Sequence, residues 1–388
     1  MHTKAAALSQ DVDYVQKYPV RIAHIIGKMR NGGVEAVVIN YYRNIDRSKV
    51  QYDFIIDEDS PYTVHQERIT DLGGRLIKIP PYQKQLEYQK KLYRLFTENH
   101  YTLVYSHINT LSVFPLFAAY RAGVPIRIAH NHSTAGEGEF ARNVMKYSLR
   151  PFAKVFPTHL CACSRFAGEW MYGKSEVESG HVIIWQNALD TKRFAYNESL
   201  RNETRRALNI QDKFVVGHAG RFMNQKNHNF LIDVFAEIHK RRNDSVLLLA
   251  GEGPLMEAVI EKVNRLGLSE CVIFIGSVND MERYYNAMDL FIFPSFYEGL
   301  GMSSVEAQIS GLPVICSDRV PDEAAICENI KFLSLKKTAS EWADEALRLS
   351  ENHIRKSMAT EAIKHGFDIK TQAAKMNRWY CELLKIPC

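Results

Sequence analysis

The stretch Leu290-Phe-Ile-Phe-Pro-Ser-Phe-Tyr-Glu298-Gly-Leu-Gly301-Met-Ser-Ser-Val-Glu306-Ala307 reads as an apolar strand, a glycine loop and the start of a helix. Gly299 and Gly301 allow the backbone to approach a ligand closely. The free N–H groups at a helix start suit a diphosphate. Glu298 falls in the loop and Glu306 about two turns into the helix. Both can therefore face one ligand and accept hydrogen bonds from the vicinal hydroxyls of a sugar or ribose. A helix dipole alone explains one acidic residue near the start, but not the loop, the two glycines and the spacing together.

The same alternation runs through all 388 residues. Short apolar, β-branched runs predict strands at Val20–Gly27, Gln51–Ile56, Arg75–Ile79, Leu103–Ser106, Ile126–His130, Leu160–Ser164 and His181–Trp185 in the front half. The back half repeats the cycle at Phe214–His218, Ser245–Ala250, Val272–Ile275, Leu290–Pro294, Pro313–Ser317 and Lys331–Leu333. Amphipathic stretches such as Val34–Asn44, Leu86–Glu98, Phe230–Lys240 and Leu255–Leu266 separate them. Near-continuous apolar strands alternating with helices imply parallel sheets covered on both faces. The fold class is α/β, with two doubly wound parallel-sheet domains and a ligand crevice at the carboxyl ends of the strands. Residues 1–19 are expected to form a flexible extension, 20–190 the first domain and 191–368 the second. The last helix, 369–388, is expected to pack back on the first domain. The polar segment Asn187–Asp212 shows little apolar periodicity and marks the boundary. Two further helical patterns follow near Ala339–His365 and Ile369–Leu384.

Three further loops carry chemistry. Gly217-His-Ala-Gly-Arg221-Phe-Met-Asn-Gln-Lys226 follows the first strand of the second domain. A guanidinium and an ammonium five residues apart would neutralise a diphosphate leaving group. Gly32-Gly33-Val34-Glu35 follows the first strand of all and would let a helix start lie close to a ligand. Ala129-His130-Asn131-His132-Ser133 ends a front-half strand, and a histidine there can reach into the crevice. Gly251-Glu-Gly253 lacks the third glycine of a dinucleotide fingerprint, and there is no GxxxxGK[ST] loop or HExxH pair.

Composition narrows the class. Hydrophobic residues make up 46% and charged residues 24%, which excludes disordered, collagen-like and disulfide-scaffold chains. The net charge of +5 is too small to imply nucleic acid. Residues 1–195 carry 25 basic and 18 acidic side chains, whereas residues 196–388 carry 24 and 26. The basic front half points to an anionic surface or ligand. Seven scattered cysteines without a CxxC pair read as reduced thiols of a cytoplasmic enzyme, not as a disulfide or zinc framework. No stretch approaches the roughly 18 apolar residues of a membrane span, and the first residues carry no signal-peptide core.

These residues resemble the GT-B glycosyltransferases, specifically the large retaining family four. Glu298 to Glu306 matches its E-x7-E signature, Gly32-Gly33-Val34-Glu35 its N-terminal glycine loop, and Arg221 with Lys226 its donor-diphosphate pair. The resemblance extends over about residues 20 to 385. Ala129-His-Asn-His-Ser, Ser317-Asp318 and Phe332-Leu-Ser-Leu look like the branch found in bacterial exopolysaccharide and capsule clusters. The resemblance implies two Rossmann-like domains facing a cleft and transfer of a hexose or N-acetylhexosamine from a nucleotide sugar, UDP-linked, with configuration kept. It implies catalytic roles for His130 and Glu298. Arg221, Lys226, Gly301 and Met302 would hold the diphosphate, Glu306 the ribose, and Gly32 and Gly33 would admit the substrates. It implies no metal or other cofactor, because fixed cations and helix N–H groups stabilise the leaving diphosphate. The chain departs from the family after Ser317-Asp318, where Arg319-Val-Pro-Asp-Glu323 replaces a glycine-rich segment. A nucleotide-sugar epimerase and a non-catalytic nucleotide-sugar binder are the competing readings.

Residues 140–168 contain Arg142, Lys146, Arg150, Lys154 and Arg165 and no acid. At 100° per residue the first four share one side of a helix and apolar residues the other, with a break at Pro151. This pattern predicts a peripheral helix on an anionic inner membrane face, with a lipid-diphosphate-linked glycan as acceptor.

Overall fold

A computed structural model describes residues 19–29, 33–62, 64–134, 140–351 and 353–388. The segment expected to form the N-terminal extension, up to residue 18, lies outside the described residues, as do Gly32 and the side chain of Arg142.

Seven strands form the first sheet: β1 (Val20–Gly27), β2 (Val50–Asp57), β3 (Arg75–Ile79), β4 (Leu103–Ser106), β5 (Ile126–Asn131), β6 (His159–Ala162) and β7 (Val182–Ile184). Their order is β3-β2-β1-β4-β5-β6-β7, and every neighbouring pair is parallel. Six strands form the second sheet: β8 (Phe214–Ala219), β9 (Ser245–Ala250), β10 (Val272–Gly276), β11 (Leu290–Phe293), β12 (Val314–Ser317) and β13 (Ile330–Leu333). Their order is β10-β9-β8-β11-β12-β13, again all parallel. The central strands are mostly apolar because helices cover both faces. Every residue of β8, β9 and β11 is buried. Burial of this kind is worth about 1.5–3 kcal/mol per large side chain and is the main force holding each unit together.

Winding direction reverses between β1 and β4 in one sheet and between β8 and β11 in the other. Loops diverge at such points and leave a crevice at the carboxyl edge. The two sheets are joined twice. Leu189 N–H donates to the Phe367 carbonyl and Ile369 N–H to the Leu189 carbonyl, so the two crossing segments run side by side. The last helix, Ile369–Leu384, starts at Asp368, whose carboxylate caps the Thr371 N–H. Ile369, Ala373, Met376 and Tyr380 enter the core beneath the first sheet. Tyr380 Oη lies 2.9 Å from Tyr52 Oη.

Three expectations need correction. The polar segment Asn187–Asp212 contains a helix, Glu198–Ala207, capped by the Asn197 side chain. It lacks apolar periodicity because guanidinium groups do its packing. Arg201 and Arg205 both pair with Asp289 and donate to carbonyls at the end of the helix Met281–Ala287. The pattern near Ala339–His365 is two helices, Ala339–Ser350 and Ala359–Lys364. Between them Arg355 donates to the carbonyls of Tyr285, Asn286 and Ser310, which holds the connecting segment out of helical conformation. Finally, the cysteines are not all free thiols. Cys381 and Cys388 are paired, because a left-handed turn at Lys385 (φ 53°) folds the last residues back on the helix. The other five are free.

Candidate functional site

The crevice between the sheets encloses about 760 Å³. Its walls come from both units: Gly33 and His132 from the first, and Gly220, Arg221, Lys226, Tyr285, Glu298 to Ser303 and Glu306 from the second. Arg221, Lys226, Gly301, Met302, Glu298, Glu306 and Gly33 are thus brought together in one hollow, as the loop motifs require. A Cβ on Gly33 would meet nothing within 4 Å, so the backbone there faces open space.

The loop after β11 follows from its two glycines. Gly301 has φ +88°, a left-handed conformation that an L side chain resists, and it starts the helix Met302–Ile309. A Cβ on Gly299 would lie 2.2 Å from the His132 carbonyl oxygen, so only glycine lets the two units close at this point. Ser164 Oγ donates to the Gly299 carbonyl at 2.6 Å and clamps the same contact from below. Ser304 N–H turns back to the Gly301 carbonyl. Met302 and Ser303 line the crevice at the head of the helix, where N–H groups have no intrahelical partner.

The loop after β8 brings the cations. Lys226 ends a short turn, Asn224–Lys226, sewn to the neighbouring loop by the Phe296 N–H bonding to the Gln225 carbonyl and by Gln225 Nε2 donating to the Tyr297 carbonyl. Lys226 Nζ lies 2.6 Å from Glu298 Oε1 and 4.6 Å from the Phe293 ring centre. Both partners are largely withdrawn from water, with side chains 15% and 9% exposed. Arg221 is exposed at the crevice mouth. Beneath the loop, His218 Nδ1 donates to the Ile292 carbonyl at 2.8 Å, and burial pushes its imidazole well below the usual range, so it stays neutral.

Glu306 accepts a 2.8 Å hydrogen bond from Tyr285 Oη. Desolvation pushes its carboxyl up to about 7, while the tyrosine bond and Arg193 oppose the rise. It is therefore poised near neutrality. Tyr285 gave no signal in the sequence, since it sits on a separate helix among ordinary helix formers. The pair Gly251 and Gly253 also lines the crevice, without being a dinucleotide fingerprint. A Cβ on Gly251 would lie 2.2 Å from the Gly220 carbonyl oxygen, so this pair seats the cation loop.

His130 stands behind the wall and is only 4% exposed, with Nδ1 3.0 Å from Tyr105 Oη. His132, two residues on and past the end of β5, is the histidine that lines the crevice. The two rings stack at 4.0 Å. Residues two apart on a strand share a face, so the pattern located the face but not the depth. Among the described residues, His107, His130 and His132 bring ring nitrogens within 4.8 Å of one another, the one cluster with metal-ligand spacing.

The basic segment forms a helix, Phe140–Leu149, and a single turn, Arg150–Phe152, broken at Pro151. Lys146 donates to the Thr134 carbonyl, Arg150 lies over the Trp170 ring and Lys154 pairs with Glu176 at 2.8 Å. Val144, Tyr147, Phe152 and Val155 are more than half exposed. No helix among the described residues is long and apolar enough to cross a membrane.

Residues 31–193 match the family model Glycosyltransferase Family 4, and residues 213–352 match Glycosyl transferases group 1. The putative glycosyltransferase EpsF of Bacillus subtilis (strain 168) is 34% identical over 335 residues, covering 84% of this chain and 87% of that protein. The UDP-Gal:alpha-D-GlcNAc-diphosphoundecaprenol alpha-1,3-galactosyltransferase of Escherichia coli is 23% identical over 381 residues, covering 94% of this chain and 97% of that protein. Among solved structures, Anabaena Alr3699/HepE in complex with UDP and glucose superposes with a TM-score of 0.76 at 21% identity, covering 94% of this chain and 99% of that one.

Proposed function

The chain belongs to glycosyltransferase family 4, and we propose that it moves a hexose or N-acetylhexosamine from a UDP-sugar to a lipid-diphosphate-linked glycan, keeping the anomeric configuration, in surface polysaccharide synthesis. The observation that carries this reading is the convergence of Arg221, Lys226, Glu298 and Glu306 on one crevice headed by the helix Met302–Ile309. Arg221 and Lys226 take the diphosphate, helped by the N–H groups at Met302 and Ser303. Glu306 accepts from the ribose hydroxyls. Glu298 accepts from hydroxyls of the transferred sugar. As the glycosidic bond breaks, negative charge gathers on the departing diphosphate, where fixed cations already stand. Stabilisation of that kind needs no metal. The names of the Escherichia coli relative and the Anabaena structure support a uridine nucleotide and a lipid diphosphate acceptor. The basic front half and the exposed apolar patch at Val144 to Val155 support a cytoplasmic enzyme docked on the inner membrane face.

A thermal-shift panel of UDP-, GDP- and ADP-sugars tests the donor, because a ligand that binds the folded state raises the midpoint by mass action. A UDP-sugar is expected to give the largest shift, and Lys226→Ala to remove it. Equal silence from every nucleotide sugar would overturn the reading.

A further inference from the structure

Three buried histidines form a continuous chain from the core to the crevice. His24 on β1 places Nδ1 3.0 Å from His107 Nε2, and His107 Nδ1 lies 3.1 Å from His132 Nε2. His24 is 1%, His107 5% and His132 7% exposed. Burial pushes His24 and His132 down to about 3 and His107 well below the usual range, so all three are neutral near pH 7. A neutral imidazole carries one N–H. His107 has an imidazole nitrogen at each end, so it must donate through one nitrogen and accept through the other. The three protons are therefore aligned, all inward or all outward.

The outer end decides which. Resting on the reading that a diphosphate binds the crevice, outward alignment turns the positive ends of three imidazole dipoles toward that anion, and aligned links polarise one another. Inward alignment turns the negative end toward the anion and leaves a donor on His24 Nε2, which has no partner in the core. Outward alignment leaves the donor on His132 Nδ1, which is likewise buried and without a protein partner, but which belongs to the one member of the chain that lines the crevice. We propose that His24 and His107 are positioning residues whose imidazole chain fixes His132 with Nε2 accepting from His107 and Nδ1 protonated, so that the positive end of the chain lies on the histidine that lines the crevice. His130, stacked on His132, holds the plane of that ring. A metal on His107, His130 and His132 would take one His107 nitrogen and so break the link which that nitrogen makes in the chain.

Nitrogen-15 NMR of the full chain labelled at histidine reads the tautomers directly, with His132→Gln assigning the key signal. His132 is expected to show a protonated Nδ1 and a bare Nε2, both free and with saturating UDP. In His107→Phe that preference is expected to collapse toward a mixture. Turnover with the best nucleotide sugar of the panel should fall roughly tenfold, about the worth of one hydrogen bond. The UDP affinity should weaken by a similar factor, because the diphosphate is the anion that the aligned imidazoles face. A protonated Nε2 on wild-type His132, an unchanged tautomer in His107→Phe, or a visible absorption band on adding Co²⁺ would each overturn the proposal. If His107→Phe does not fold, the wild-type spectrum decides alone. Failure of UDP to bind would count against the donor reading, while the spectrum of the free protein would still read the chain.

Discussion

Lys226 Nζ and Glu298 Oε1 lie 2.6 Å apart in the crevice, so the cation proposed to receive the diphosphate is already neutralised by the carboxylate proposed to receive the sugar. An incoming diphosphate must compete for Lys226. Two substitutions should then act in opposite directions on UDP, which lacks the sugar. Glu298→Gln frees the ammonium and should tighten UDP binding roughly tenfold, or about 1.4 kcal/mol. The same change should lower turnover by roughly a hundredfold, because an amide is a weaker acceptor for the sugar hydroxyls than a carboxylate. Lys226→Ala should weaken UDP roughly a hundredfold and destabilise the fold by about 3 kcal/mol, since it strands a buried carboxylate. Calorimetric titration with UDP separates the outcomes, and parallel weakening in both variants would show that the pair does not compete.

Glu306 supplies a pH dependence. Its carboxyl is pushed from 4.5 to about 7 chiefly by desolvation. An acid raised by folding is protonated in the folded chain while still ionised in the unfolded one. Stability therefore declines as pH rises from about 4.5 to 7 and is flat above that. With the partly exposed side of the group allowed for, the full cost above pH 7 is about 2–3 kcal/mol. Glu306→Gln should raise the thermal midpoint at pH 8 by roughly 4–8 °C and change it little at pH 4.5. The proposed ribose contact needs the carboxylate as acceptor, so wild-type affinity for UDP-glucose should fall roughly tenfold from pH 8 to pH 6. UDP-glucose is the useful probe because its phosphates do not titrate in that range. A pH-independent affinity in wild type would remove Glu306 from the ribose site.

The architecture was legible because both sheets are buried on both faces, so every strand announced itself as an apolar run between turns. Ends moved by a residue or two where a strand runs into a loop, as at Leu160–Ser164, which pairs as His159–Ala162. The two charged glycine loops were legible because their residue types have few other uses. Tyr285 and His132 were not, since contact with the crevice depends on depth and on a neighbouring helix, neither of which spacing reports. The helix Glu198–Ala207 escaped notice because arginines, not apolar side chains, anchor it. The Cys381–Cys388 pair was hidden because a single left-handed residue, Lys385, brings the two together.

The departure at Arg319–Glu323 also has a structural use. Glu323 accepts from the Arg165 N–H at 2.9 Å and the Phe166 N–H at 3.2 Å, so a residue of the second unit caps a helix of the first. Together with Ser164 Oγ on the Gly299 carbonyl, this contact ties the two units together beside the crevice. Glu323→Ala should cost about 1 kcal/mol of closure, as loss of a helix cap does. The open form should then gain population, seen as a larger radius of gyration in small-angle scattering. KM for the nucleotide sugar should rise roughly fivefold, the same free energy read as affinity. An unchanged scattering profile with an unchanged KM would show that the cap serves only the helix.

The patch at Val144, Tyr147, Phe152 and Val155 makes a different prediction from a simple basic stripe. Lys146, Arg150 and Lys154 each have a partner within the chain, so on the proposed membrane-facing reading their side chains stay anchored and add only surface charge. Insertion then depends on the apolar residues, with Phe152 53% and Val155 60% exposed in water. Transferring both side chains to the acyl boundary is worth about 2–4 kcal/mol, allowing for partial burial. The double variant Phe152→Ser, Val155→Ser should therefore sediment with anionic vesicles roughly 30-fold to several hundredfold less than wild type. Lys154→Ala should lose only about fivefold, the share of one surface charge, and that share should vanish at high salt. Turnover on a soluble acceptor should be unchanged in all variants, because the patch lies outside the crevice. Equal partition of wild type and double variant onto anionic vesicles, or onto neutral and anionic vesicles regardless of salt, would show that this face does not meet the membrane.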